Sequence, residues 1–353
     1  MPIQYAPNTP FRAELETEVT AYFASSGLAR QGSAALRLKA VVLGIWLTLS
    51  YVVLLWVAQS TWQFVLAAIS LAVAMAGIGF NIQHDGGHKA FSASQRLNRA
   101  MAFSLDLLGG SSYFWRYKHA VAHHGYPNIV GADDDINVGL LARFTPHDRK
   151  RWFHRYQHLY IWPLYAFLAI KWQLIDDFIS LARPGVGDTT VPRPAKTERL
   201  LFWGGKALFF FLALGLPMFF HSPGGVIGLY LLTGAILGLF LSVVFQLAHC
   251  LGEAAFPNPA LPDRRMTVDF ATHQVEATVD FAPHNRMLTW FIGGLNFQIE
   301  HHLFPRMCHT HYPAITGIVK QVCDRHGVRH TTHATARLAL GSHYRWLRAL
   351  GRG

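Results

Sequence analysis

Apolar positions along the chain gather in four long runs. Residues 40–58 and 62–80 are almost wholly apolar and are parted only by Gln59, Ser60 and Thr61. A second pair, 203–220 and 225–247, is parted by His221, Ser222, Pro223 and Gly224. A helix rises about 1.5 Å per residue and the hydrocarbon core of a bilayer is about 30 Å thick, so about 20 apolar residues cross it. The runs therefore predict four transmembrane helices arranged as two hairpins. Residues 11–24 (FRAELETEVTAYFA) place apolar and charged positions at helical spacing and predict a short amphipathic helix on or near the membrane. Segment 156–182 is apolar but carries Pro163, Lys171, Asp176 and Asp177, which predicts an interfacial helix rather than a fifth span. The Pro/Gly-rich stretch 182–194 reads as a loop into the second hairpin. No internal sequence repeat is present. The fold class expected is all-α and integral to the membrane, with 84–202 and 249–353 forming a helical cap on one side.

Charge sets the orientation. No Lys or Arg occurs between Lys39 and Lys89, or between Lys206 and Arg264. If both hairpins insert, all basic residues lie on one face, which the positive-inside bias makes cytosolic. That face accounts for the net charge of +11, and no nucleic-acid-binding signature accompanies it. The 14% charged content is well below the roughly 25% of soluble domains. The N-terminus lacks a basic start followed by an apolar stretch, so insertion is expected to use internal segments rather than a signal peptide. The three cysteines form no CxxC pair, which suggests a reducing compartment. These features predict a multi-pass protein with both termini and its active site cytosolic, in a bacterial inner membrane.

Histidine is the anomaly, with 20 in the chain. His84 and His88 follow the second run in HDGGH; His119, His123 and His124 form HAVAHH; Gln298, His301 and His302 form QIEHH; His249 ends the fourth run. Residues four apart share a helix face, so His84/His88, His119/His123 and Gln298/His302 can each point into one site. Adjacent histidines diverge, so His123–His124 and His301–His302 serve two points. Eight imidazoles are about twice the four ligands of a closed zinc site. Imidazole suits zinc, copper, iron and nickel; no cysteine lies in the clusters, and haem needs only one or two axial ligands. Two irons fit the count best. Asp85, Glu300 and the run Asp133–Asp134–Asp135 are candidates to accept the second ring N–H of these histidines; the run also reads as a solvated loop or cap. The remaining twelve histidines read as core or surface residues.

HDGGHKAFS, WRYKHAVAHHGYPNIVGADDDI and GGLNFQIEHHLFPRMCHTHYP resemble the three histidine boxes of membrane fatty acid desaturases. The resemblance runs from about residue 40 to the C-terminus, making 40–353 a membrane desaturase domain preceded by an amphipathic region, 1–39. It implies two iron ions held by His84, His88, His119, His123, His124, His301 and His302. His249 matches the family's histidine after the last span. Gln298 stands where many relatives have a further ligand histidine, which leaves two roles open for it, direct coordination and contact through water. The glutamine resembles front-end desaturases, which insert a double bond between an existing one and the carboxyl end. The implied reaction is oxygen-dependent insertion of a cis double bond into a fatty acyl lipid or acyl thioester, with molecular oxygen as co-substrate. Many front-end relatives carry a cytochrome b domain marked by His-Pro-Gly-Gly. HSPGG at 221–225 is only an echo of it, so electrons are expected from a separate donor such as a ferredoxin or free cytochrome. The alternatives are a di-iron hydroxylase or ketolase acting on a lipid, alkane or carotenoid, a membrane zinc hydrolase, and a metal transporter.

Overall fold

The computed structural model describes residues 3–183, 185–259 and 264–353 and is mostly helical. Helix α1 (Pro10–Ser26) starts with proline in its first turn and ends at Gly27, whose φ of 65° is the left-handed conformation glycine tolerates. Four helices are long and apolar enough to cross a membrane: α2 (Ala34–Val57), α3 (Thr61–Gly87), α5 (Lys196–Phe219) and α6 (Pro223–His249). Between the two pairs lies α4 (Gln157–Ala166), which continues after a break at Phe167 through short helical turns to Ala182. The cap holds α7 (Gln298–Leu303), α8 (Tyr312–His326) and α9 (Ala336–Arg352). A two-stranded parallel pair, β1 (Asp280–Phe281) and β2 (Thr332–His333), ties the segment before α7 to the one before α9.

Three residues separate α2 from α3, and Gln63 closes the turn by accepting the backbone N–H groups of Gln59 and Ser60. The two helices run antiparallel: Trp46 donates its indole N–H to Ser70 (3.0 Å), and Leu43 packs against Gly77. Ser222 caps α6 at Gly225, and Pro223 occupies its first turn. Large apolar side chains on the outer faces of these helices are exposed, Trp62 at 64% and Phe219 at 78% among them. Such a surface is unfavourable in water and suits hydrocarbon. The helices also run beyond the apolar runs. His84 is carried on α3 and His249 ends α6, so one rigid rod spans the apolar layer and delivers its ligand candidate beyond it.

Helix α1 covers the stretch 11–24 that the sequence predicts as helical. Phe11, Leu15, Val19 and Phe23 form the predicted stripe, but they pack on Ile315, Val319 and Val322 of α8 and on Ile299 of α7. The stripe is spent on protein rather than lipid. No structural break occurs at 39/40 either: Lys39 is buried inside α2, bonded to Asn81 (2.9 Å) and His309 (2.8 Å). Segment 157–182 is helical, as its apolar character predicts, and lies against α6. Gly238 makes that approach possible, because a Cβ there would lie 2.6 Å from the Ala166 carbonyl oxygen.

Lys206 clamps this segment to α5. Its ammonium donates to the carbonyls of Gly109 (2.6 Å) and Gln173 (3.1 Å) and to the Asp177 carboxylate (2.8 Å), with both charged side chains buried. Removing one partner of a buried pair strands the other charge, which costs about 3–5 kcal/mol. Lys206→Met is therefore expected to lower the thermal unfolding midpoint in detergent sharply, and Lys206→Met/Asp177→Leu to recover much of the loss.

Candidate metal centre

The eight histidines singled out in the sequence converge in one buried volume, none more than 6% exposed. His84 leaves the end of α3 and His88 follows one turn later, their ring centroids 4.6 Å apart. The intervening Gly86 and Gly87 are required by close packing. A Cβ on Gly86 would meet the Ala102 nitrogen at 2.6 Å, and one on Gly87 would meet the Trp115 ring at 2.1 Å. His119 and His123 lie on a π-helical stretch, Arg116–His123, with rings stacked at 5.0 Å. Such wide turns recur at functional sites, where they re-aim side chains. His301 and His302 come from α7, and His249 from the last turn of α6.

Two groups result. His84, His88, His119 and His301 bring ligand nitrogens within 4.8 Å of one another, and so do His123, His249 and His302. The adjacent pair His301–His302 divides between them, as its spacing predicts. His124 lies between the groups, 4.6 Å from His301 and 4.3 Å from His302 by ring centroid. Gln298 adjoins the second group, its amide nitrogen 3.0 Å from His249 Nε2.

The far ring nitrogens are held. His119 Nδ1 meets Asp135 (3.0 Å), and His123 Nδ1 meets Asp133 (3.0 Å). His301 Nδ1 meets the Tyr312 hydroxyl (3.1 Å), which itself donates to the Met307 carbonyl, and His302 Nδ1 donates to Gln274 Oε1 (2.8 Å). A hydroxyl that is already donating must accept here, so the proton of His301 sits on Nδ1 and its Nε2 lone pair is free. The Nε2 atoms of His84, His88, His119, His301 and His302, and both ring nitrogens of His124, are buried with no hydrogen-bond partner. So many dry, unpartnered polar atoms are costly unless something binds them. Neutral imidazole nitrogens facing one another, with carboxylate, hydroxyl and amide partners behind them, fit a pair of transition-metal ions.

Electrostatics agree with that fit. Burial first, then neighbouring imidazoles, push His88, His119, His124, His301 and His302 well below the usual histidine range, keeping them neutral. Burial works against the charged form of His123 too, but Asp133, reinforced by Asp135, outweighs it and raises that pKa.

Several supports differ from expectation. The Asp133–Asp135 run is not a merely solvated loop: Asp133 also accepts the backbone N–H groups of Asn128 (2.9 Å) and Asp135 (2.9 Å). Asp85 holds His309 (2.9 Å) rather than a box histidine, and Glu300 faces Asp280 and His330. Those carboxylates point away because neighbours of a helical ligand leave the helix in other directions. Three supporting residues went unnoticed in the sequence: Gln274, Tyr312 and Asn128. Asn128 adopts a positive φ of 60° and donates to the His249 (3.1 Å) and Ala277 (2.9 Å) carbonyls, pinning the second box to the end of α6. Its place inside the second motif was the only signal. Trp115 stacks on His119 at 4.7 Å, whereas Tyr117 packs with Tyr113 in a separate cluster.

Two mostly apolar cavities adjoin beside the first group. A cavity of about 40 Å³ is lined by His84, Trp115, Phe80 and Phe245. A larger one of about 240 Å³ continues between the long helices, bounded by Tyr51, Phe209 and Leu229. Met75, Leu108 and Gln173 line both.

Helices of membrane length carrying a buried cluster of histidines that could hold metal define the class, a membrane protein with a candidate metal centre. The chain belongs to the fatty acid desaturase family, whose model matches residues 60–334. It is similar, at 34% identity, to a sn-1 linoleoyl-lipid 6-desaturase of Synechocystis sp., covering 99% of this chain and 98% of that protein. An acyl-lipid (8-3)-desaturase of Physcomitrium patens is also 34% identical, over 98% of this chain and 72% of its own. One from Mortierella alpina is 31% identical, over 97% and 78%.

Partners behind metal ligands commonly contribute 10–100-fold in metal affinity. Asp133→Ala is expected to weaken metal binding by about that factor, read by competition with a chelator. His309→Gln, away from the box histidines, is expected to leave it unchanged.

Proposed function

We propose that this chain is a front-end acyl-lipid desaturase using two irons held by His84, His88, His119, His123, His124, His249, His301 and His302, with Gln298 at the rim of the second ion. The observation that carries the reading is the pair of adjoining apolar cavities, a small one reaching His84 and a larger one between the membrane-length helices. A methylene chain threaded there presents its C–H bonds to the metal group, against a lining that is mostly apolar, with Thr48, Tyr51, Gln173, His221, Tyr230 and Thr233 as the polar side chains of the larger cavity. The names of the relatives, 6-desaturase and (8-3)-desaturase, and the glutamine of the third box support front-end placement of the double bond.

Bound at this site, the iron pair supplies the oxygen-derived oxidising power that an unactivated methylene demands and that side-chain acids and bases lack. The protein's own part is positional. Trp115, Phe80 and Phe245 form a wall that keeps water from the reacting carbons. Asp133, Asp135, Tyr312 and Gln274 fix the tautomers and ring planes of four histidines, so the ligand lone pairs converge without reorganisation. The acyl tail is housed between the helices while its headgroup stays at the basic face. In this reading α2–α3 and α5–α6 insert as two hairpins, the cap and the site lie on the cytosolic side, and electrons arrive from a separate carrier.

Three outcomes test the reading. His123→Ala and His302→Ala are expected to abolish desaturation while the protein still inserts into membranes; full activity in either contradicts the ligand set. Expression in a host supplied with linoleoyl lipids is expected to yield a new double bond on the carboxyl side of the existing ones. A product that gains an oxygen atom instead would make the enzyme a hydroxylase. Leu108→Trp, which narrows the join between the cavities, is expected to reduce turnover of long chains more than that of short ones.

A further inference from the structure

A groove of about 590 Å³ lies between the segment preceding α4 and the end of α9, lined by Lys150, Trp152, Arg155, Tyr156, Leu159 and Arg352. Its chemistry is two-sided. Trp152 is 77% exposed and Leu159 57% exposed, a poor choice for a face meant for water. Beside them stand three cations. Arg155 stacks on Tyr156 at 4.6 Å, and Lys150 donates to the carbonyls of Arg352 (2.7 Å) and Gly353 (3.1 Å), which joins the two walls. Lys150 is engaged by the two oxygens at the end of the chain, whereas among the described residues no Asp or Glu pairs with Arg155 or Arg352, and neither 149–160 nor 334–353 contains an Asp or Glu.

The register of α4 against α6 gives the groove its depth. Helix α6 has 27 residues, about 40 Å at 1.5 Å per residue, roughly 10 Å more than the hydrocarbon core. Ile170 packs at Gly234, the Ala166 carbonyl at Gly238, and Ser242 donates to the Tyr165 carbonyl (3.3 Å), so the segment runs antiparallel to α6. Followed toward its start, the segment carries 152–159 beyond Tyr165, toward and past the end of α6. Farther along the same segment Phe167, Leu174 and Ile179 are exposed at apolar depth. Guanidinium groups beside an exposed Trp and Leu, on a segment whose apolar face continues toward the bundle, match a molecule that carries both a phosphate and acyl chains.

We propose that this groove binds an anionic phospholipid, with Lys150, Arg155 and Arg352 on the phosphate and Trp152 and Leu159 against the glycerol and upper acyl carbons. The site is separate from the histidine centre and does not depend on the reaction assigned to it. An acidic protein docking on the same cations is the competing occupant; the exposed Trp152 and Leu159, and the continuity with an apolar face, favour lipid.

The test uses the full chain purified in detergent and titrated with phosphatidylglycerol, phosphatidylcholine or inorganic phosphate, with bound lipid counted by native mass spectrometry. The site predicts one retained phosphatidylglycerol per chain, held on the order of tenfold more tightly than phosphatidylcholine, and no competition by inorganic phosphate at similar concentration. Arg155→Gln/Arg352→Gln is expected to erase the preference, and Trp152→Ala to weaken retention of both lipids, with unfolding midpoints near that of the parent protein. Equal retention of the two lipids, or undiminished phosphatidylglycerol retention in the double variant, overturns the proposal. If the double variant keeps its lipid but binds an acidic redox protein less tightly, the face is a protein-docking surface instead.

Discussion

A buried imidazole nitrogen must have a partner, and much of this structure is arranged around that constraint. Eight histidines are brought out of water. Four of them give their far nitrogens to Asp133, Asp135, Gln274 and Tyr312, and the nitrogens that face inward are left to one another. In water those lone pairs would be satisfied at no cost. In a dry interior they go unpaired, and in the proposed reading a bound metal pair offsets the desolvation.

The same constraint explains why the long helices overrun the apolar layer. A ligand attached to a flexible loop would lose entropy on binding and tolerate misplacement. His84 and His249 instead ride on the ends of rods fixed by packing within the bundle. Asn128 then fastens the second box to the end of α6 through backbone carbonyls, and α1 and α8 brace the third box from behind. The small cavity beside His84 is walled by Phe80, Phe245 and Trp115, so in the proposed reading the same side chains border the metal group and the acyl chain.

Features with short sequence periods were legible. The apolar runs predicted the four long helices within a turn or two, and i, i+4 spacing predicted which histidines share a site. The division of His301 and His302 followed from helical direction alone. Features set by distant contacts were not legible. Gln274 and Tyr312 carry no local sign that they face His302 and His301, and Asp85 and Glu300 lie beside ligands in sequence while pointing elsewhere. The stripe of α1 reads the same whether it meets lipid or α8, since both are apolar. The depth of segment 157–182 depends on Gly234 and Gly238 of another helix, which look like ordinary small residues in a span.

The central claim is that the eight imidazoles grip a pair of redox-active ions. X-ray absorption at the iron edge, combined with metal counting on the purified chain, tests it most directly. The account predicts two irons per chain in a nitrogen-rich shell with imidazole outer-shell scattering. A single ion, stoichiometric zinc in place of iron, or a shell dominated by oxygen would contradict it.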